Sequence, residues 1–137
     1  PLRSLGASDI VRTIDEAAGS FDLILESVGG NSLAAAVERI ARGGVVVTIG
    51  NSSEQDTTFN ARTLYAKGAA TIYGLLIFEE VESRRVGAAD LARLLEMVRD
   101  GRLHAPTEVR RDWAELPAVL EDFERRSYAG KAVLTVS

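Results

Sequence analysis

The chain has 137 residues, of which 46% are hydrophobic and 26% charged, and its formal net charge at pH 7 is −4. This length corresponds to one domain or to pieces of two, and the scattered charges and short apolar runs predict neither a nucleic acid partner nor a membrane span. The absence of cysteine excludes disulfides and thiolate metal sites, and together with the lack of an opening secretory signal it favours a cytoplasmic location.

The first twenty residues predict little regular structure. Ser8–Val11 follows a glycine break and predicts a very short strand. Residues 12–20 are mixed and end in glycine and serine, so we expect a loop or one loose helical turn there.

Residues 21–50 predict a strand, a helix and a second strand. Phe21–Ser27 is a short apolar run that ends in glycines, residues 31–41 carry one apolar face at helical spacing, and Val45–Ile49 is β-branched. Both strands are apolar enough to be covered on both faces of a sheet. Such a unit is a right-handed crossover between parallel strands.

A third strand is predicted after this unit. Residues 60–66 predict a short helix, and the apolar stretch Ala69–Phe78, centred on residues 70–77, predicts the strand. Because this stretch follows the central pair and contains no lysine or proline, we expect it to form an exposed edge that pairs with another chain. The charged residues 79–85 predict a solvated connector.

The C-terminal third predicts two helices and two strands. A long helix spans about Gly87 to Asp100 and ends at Gly101, and a second helix lies around residues 116–123. Thr107–Arg110 predicts a short strand and Lys131–Val136 a closing one.

The carboxyl ends of the predicted strands mark the candidate ligand site, because ligands of open parallel sheets bind there. Gly29, Gly50 and Asn51 follow the first two strands, and Gly74 interrupts the third. A glycine inside a strand weakens it, so its presence there suggests that another group approaches the backbone closely. Glycine also permits tight turns, so the turn interpretation stays open beside the ligand interpretation.

Other candidate site residues favour structural interpretations. Glu26 lies where a general base could sit, but a solvated acid at the end of a strand is the favoured interpretation. His104 is the only histidine of a chain without cysteine, so we expect no metal site. The chain also has no Gly-x-Gly-x-x-Gly phosphate-binding motif.

A series of motifs along nearly the whole chain has the order and spacing of a known family. They are Leu5-Gly6-Ala7, the run from Phe21 to Gly30, the run from Gly43 to Gly50, the strand with Gly74, the helix ending at Gly101-Arg102-Leu103, and the closing run from Gly130 to Leu134. In these motifs the chain resembles the second half of a medium-chain dehydrogenase/reductase, in the zinc-free, quinone-oxidoreductase-like branch of the zinc-type alcohol dehydrogenase superfamily.

The resemblance implies an α/β fold: a partial Rossmann-like parallel sheet with flanking helices, plus a C-terminal helix and strand. Residues 1–102 would be the second half of a dinucleotide-binding domain, and residues 103–137 a tail that returns to a catalytic domain. The full-length protein would be an oxidoreductase that uses NADP or NAD, without zinc, to reduce a quinone, enone or other carbonyl substrate. The first βα unit with its pyrophosphate loop lies outside this chain.

The resemblance also implies where the nicotinamide and its ribose would bind, and it implies a homodimer formed through the edge strand Ala69–Phe78. No catalytic residue is predicted, because the protein supplies orientation more than reactive groups to a hydride transfer. The residues that border the cofactor by position are Val28, Gly29, Ile49, Gly50, Asn51, Gly74 and Leu75.

The isolated chain has an expected behaviour, and two alternative functions stay open. Without the pyrophosphate site the isolated chain is expected to fold but to be inactive, and its closing strand to be mobile or paired with a neighbour. A methyltransferase-type half-domain is one alternative, because Gly43 to Val47 after a helix suits that fold as well. A non-enzymatic association module with a cofactor-type fold is the other.

Overall fold

The computed structural model describes residues 2–136 and divides the chain into two compact units, one up to Ser83 and one from Arg84. None of the described helices is long and apolar enough to cross a membrane. After two short 3-10 turns, at Arg3–Leu5 and Ile14–Glu16, the elements of the first unit are β1 (Phe21–Glu26), α1 (Gly30–Arg39), β2 (Ile40–Thr48), α2 (Ala61–Ala66), β3 (Thr71–Gly74) and α3 (Ile77–Arg84), whose last residue belongs to the second unit. The elements of the second unit are α4 (Gly87–Arg99), β4 (Thr107–Asp112), a 3-10 turn at Trp113–Glu115, α5 (Leu116–Glu124) and β5 (Lys131–Thr135).

The first unit is built on a parallel sheet with the strand order β1-β2-β3. In its central row, Ile24 of β1 lies opposite Val46 of β2, and Val46 lies opposite Ile72 of β3. The predicted α/β fold and the parallel pairing of the first two strands are therefore confirmed.

The core of this unit lies between α1 and one face of the sheet. Ile24, Ala36, Ile40 and Val46 form its buried cluster, and Ile40 and Val46 are completely buried. Leu25, the neighbour of Ile24 on β1, is 68% exposed because alternate side chains of a strand point to opposite faces. β1 therefore buries one face, although its apolar sequence predicted cover on both.

The third strand is much shorter than predicted. β3 covers Thr71–Gly74 instead of Ala69–Phe78, because the chain turns before it, with Ala69 at φ 57°, and enters α3 soon after it. The charged residues 79–85, predicted to be a connector, lie largely in α3. Glu79 and Glu80 occupy the first turn of that helix, where negative charge interacts favourably with the helix dipole.

Two shorter stretches also differ from the sequence prediction. Ser8–Val11 forms no strand. β2 begins at Ile40, five residues before the predicted Val45, because Phe21 of β1 pairs with Ile40 across an irregularity in the register. The predicted helix 31–41 correspondingly ends at Arg39.

The second unit contains a parallel pair of strands, β4 and β5, connected through α5. Thr107 pairs with Lys131 at one end and Asp112 with Thr135 at the other. The expectation that the closing strand is mobile or paired with a neighbour is therefore wrong, because β4 supplies its partner within the unit. The predicted long helix is confirmed as α4, at Gly87–Arg99.

Candidate functional site

The carboxyl ends of β2 and β3 border an open cleft of about 500 Å³. The two strands are in parallel register up to Thr48 and Gly74, so both chains leave the sheet at the same edge. The Leu75 N–H donates to the Thr48 carbonyl at 2.9 Å and extends this pairing by one residue. The lining residues are Thr48, Ile49, Gly50, Asn51, Gly74, Leu75 and Leu76.

Five of the seven predicted cofactor-binding residues line this cleft, and the other two, Val28 and Gly29, do not. The five are Ile49, Gly50, Asn51, Gly74 and Leu75. Gly29 packs against the side chain of Asn51. Val28 lines a separate cleft of about 300 Å³ together with residues that include Arg12 and Asn31.

Backbone hydrogen bonds join the turn after β1 to the turn after β2. The Ile49 N–H donates to the Glu26 carbonyl at 2.8 Å, and the Ser53 N–H donates to the Val28 carbonyl at 2.8 Å. Between them, the Ser52 N–H donates to the Ser27 carbonyl at 3.1 Å. These bonds hold the two turns together as one wall of the site.

Glu26 is buried at the base of this wall, with only 4% of its surface exposed. Its carboxylate accepts hydrogen bonds from the Val28 N–H at 2.8 Å and from the Gly29 N–H at 3.0 Å. The interpretation of Glu26 as a solvated acid is wrong, because the chain folds back after β1 and aims two backbone amides at the carboxylate. A buried carboxylate needs such donors. The sequence signal was an acid at the end of an apolar strand, followed closely by two glycines.

The three glycines of the site differ in what a side chain would meet. At Gly29, where φ is 77°, an added Cβ would lie 2.8 Å from the Asn51 Cγ, and at Gly50 it would lie 3.2 Å from the Ser27 carbonyl oxygen. At Gly74 an added Cβ would meet nothing within 4 Å, and φ is not in the left-handed region. Turn packing explains Gly29 and Gly50, whereas nothing among residues 2–136 crowds Gly74, whose backbone borders open space.

The cleft offers binding surface without an acid or base. None of its lining residues carries an ionisable side chain. Within residues 2–136 no group of three or more His, Asp or Glu side chains is arranged to hold a metal ion. The lining of the cleft consists of apolar side chains, glycine backbone, one hydroxyl and one amide.

Comparison with known proteins gives a family. A family model described as "Zinc-binding dehydrogenase" matches residues 5–134. No curated protein matches the chain.

Solved structures share the fold, and the chain spans little more than a third of their length. A mycobacterial protein complexed with NADPH is 18% identical, with 85% of this chain and 36% of that chain covered and a TM-score of 0.65. A mycobacterial quinone oxidoreductase is 18% identical, with 85% and 35% covered and a TM-score of 0.74. A thermostable alcohol dehydrogenase from Pyrobaculum aerophilum is 25% identical, with 98% and 38% covered and a TM-score of 0.72.

The unequal surroundings of the glycines predict unequal costs of substitution. Gly29→Ala should lower the free energy of unfolding by about 1–3 kcal/mol, because it forces alanine into a left-handed conformation against Asn51. Gly74→Ala should change it by no more than about 0.5 kcal/mol, as expected where no contact is disturbed. Urea denaturation followed by circular dichroism measures both, and equal losses would contradict the distinction.

Proposed function

Because the chain belongs to the zinc-binding dehydrogenase family, we propose that it forms part of an NAD(P)H-dependent oxidoreductase that reduces a quinone, enone or related carbonyl compound. The family match decides against the methyltransferase-type half-domain. Solved proteins of the same fold support the proposal, since one is complexed with NADPH and another is named a quinone oxidoreductase. Because the chain spans little more than a third of these proteins, the reaction belongs to the whole protein.

The observation that carries this proposal is Gly74, a glycine with free space beside its backbone, in a cleft at the carboxyl ends of two adjacent parallel strands. Open parallel sheets bind their ligands at this edge. Ile49, Leu75 and Leu76 give the cleft apolar walls that suit a flat ring, and the Asn51 amide supplies a donor and an acceptor. At Gly74 the ring can approach the backbone, since no side chain stands in the way.

The residues fit the nicotinamide end of NADP or NAD, and the bound cofactor would supply the hydride. The chain's own residues would bind and orient: the walls exclude water from one side of the ring, and Asn51 hydrogen-bonds its polar edge. Asn51 is itself held by its contact with Gly29, whose amide is fixed by Glu26. Zinc is not part of the proposal, and the cytoplasmic location stays a prediction.

A side chain placed at Gly74 should block the cleft while leaving the fold intact. The test uses a family-length protein, that is, a protein that contains this chain and is as long as the solved relatives. In it, Gly74→Leu should weaken NADPH binding at least about tenfold, equivalent to ~1.4 kcal/mol. Gly74 is a better position for this test than Gly50, because a side chain at Gly50 would press on the Ser27 carbonyl and disturb the packing of the turn. Titration by NADPH fluorescence gives the affinity, and Thr71→Leu, an exposed position on the same strand outside the cleft, is the matched control. Unchanged NADPH affinity in Gly74→Leu would count against the site.

The 137-residue chain by itself should not turn over NADPH with a simple quinone. It contains no Gly-x-Gly-x-x-Gly loop, and without such an anchor for the pyrophosphate the affinity should fall by about a thousandfold or more, or several kcal/mol. The loss of reduced-cofactor absorbance measures turnover, with the family-length protein as the positive control. Sustained oxidation proportional to the amount of chain would overturn this expectation. A family-length protein that binds no NADPH would favour the association module instead.

We also propose a homodimer formed through β3, which is an edge of the described three-stranded sheet. Lysine at the exposed residues Thr71 and Leu76 should raise the monomer fraction in sedimentation velocity, because charge on an edge opposes pairing. Ile72 is a poorer position for lysine, since it lies opposite the buried Val46. Leu23→Lys, on the opposite edge strand, is the control. A wild-type chain that stays monomeric at high concentration refutes this dimer.

A further inference from the structure

A hydrogen bond between two side chains joins β3 to α3, and the function proposed above does not use it. The Tyr73 hydroxyl donates to a carboxylate oxygen of Glu80. Both residues are half-buried, whereas Leu76 and Phe78, which lie between them in the chain, are 58% and 79% exposed. Little apolar burial therefore holds the connection between the strand and the helix.

This hydrogen bond spans one wall of the cleft. Gly74, Leu75 and Leu76, which form that wall, follow directly after Tyr73. On one side the Leu75 N–H is bonded to the Thr48 carbonyl at 2.9 Å, and on the other the Glu80 N–H is bonded to the Leu76 carbonyl at 3.1 Å. The bond between Tyr73 and Glu80 closes this arrangement, since it ties the start of the wall to the helix that follows it.

The chemistry of the pair makes it a strong tie. A hydroxyl that donates to an ionised carboxylate forms one of the stronger protein hydrogen bonds. Partial burial keeps water from competing fully for either partner. Tyr65 is 72% exposed, so water reaches its side chain more freely than that of the half-buried Tyr73.

We propose that Tyr73 and Glu80 are positioning residues for the cleft: their hydrogen bond fixes the wall from Gly74 to Leu76 and thereby sets how tightly the site holds its ligand. This inference rests on the proposed function for the identity of the ligand, a reduced nicotinamide cofactor. Neither side chain needs to touch that cofactor, because the effect passes through the wall between them.

A purely helix-stabilising role for Glu80 makes a different prediction. Glu79 and Glu80 both lie in the first turn of α3, where negative charge favours the helix. Glu80→Gln removes the charge but keeps a side-chain oxygen that can accept from the Tyr73 hydroxyl. If the hydrogen bond positions the wall, Glu80→Gln should behave like the wild type and Glu80→Ala should not. If only the negative charge matters, Glu80→Gln, Glu80→Ala and Glu79→Ala should all differ from the wild type.

The first experiment measures the wall directly in the 137-residue chain by amide hydrogen exchange. Tyr73→Phe and Glu80→Ala should each speed exchange at the Leu75 amide at least about fivefold, as expected when local opening becomes easier. The control variants are Tyr65→Phe and Glu79→Ala, and neither should change this rate. Exchange at Leu75 that is the same in wild type, Tyr73→Phe and Glu80→Ala would overturn the inference.

The second experiment measures NADPH affinity in a family-length protein that contains the chain. Tyr73→Phe and Glu80→Ala should each weaken binding about tenfold, and the double variant no more than either one, because the two residues act as one unit. Glu80→Gln should bind within about threefold of wild type. NADPH binding by the wild type with unchanged affinity in the variants would refute the inference and leave the proposed function standing. If the wild type binds no NADPH, the proposed function fails, and the exchange rate at Leu75 still decides whether the pair fixes the wall.

Discussion

β2 pairs with β1 on one side and with β3 on the other, and this double pairing holds the first unit and its candidate site together. The fully buried Val46 lies in the central row between Ile24 and Ile72, and α1 closes over that row with Ala36, while Ile40 at the start of β2 completes the buried cluster. The same register that builds the core brings the ends of β2 and β3 to one edge of the sheet. A shift of the register by one residue would expose Val46 and separate the walls of the cleft.

The site depends on backbone chemistry more than on reactive side chains. Glu26 is an acid without a catalytic assignment, yet its carboxylate holds the amides of Val28 and Gly29 in place. Gly29 also packs against the side chain of Asn51. The cofactor proposed for this surface carries its own reactive group, so the protein would need chiefly to fix the position of a ring and exclude water.

The two walls of the cleft are held in different ways. The wall at Gly50 and Asn51 is tied by several backbone bonds to the turn after β1. The wall from Gly74 to Leu76 has the exposed α3 behind it, and its tie to that helix includes the bond between Tyr73 and Glu80. Elements with few buried contacts open more easily, so the second wall is where the shape of the site can change at the lowest cost.

The sequence by itself determined the α/β class, the parallel pairing of the first two strands and the long helix, because hydrophobic periodicity and glycine spacing are local signals. The family was recognised separately, from the resemblance of a series of motifs along the chain. The sequence also placed five of the seven predicted site residues at the edge where they line one cleft, since parallel strands end on the same side. The tertiary structure alone decided the burial of Glu26, the short β3 and the pairing of β5 with β4. Each of these depends on which groups the folded chain brings together: two amides for a carboxylate, a turn and a helix that limit a strand, and a partner strand on the other side of α5.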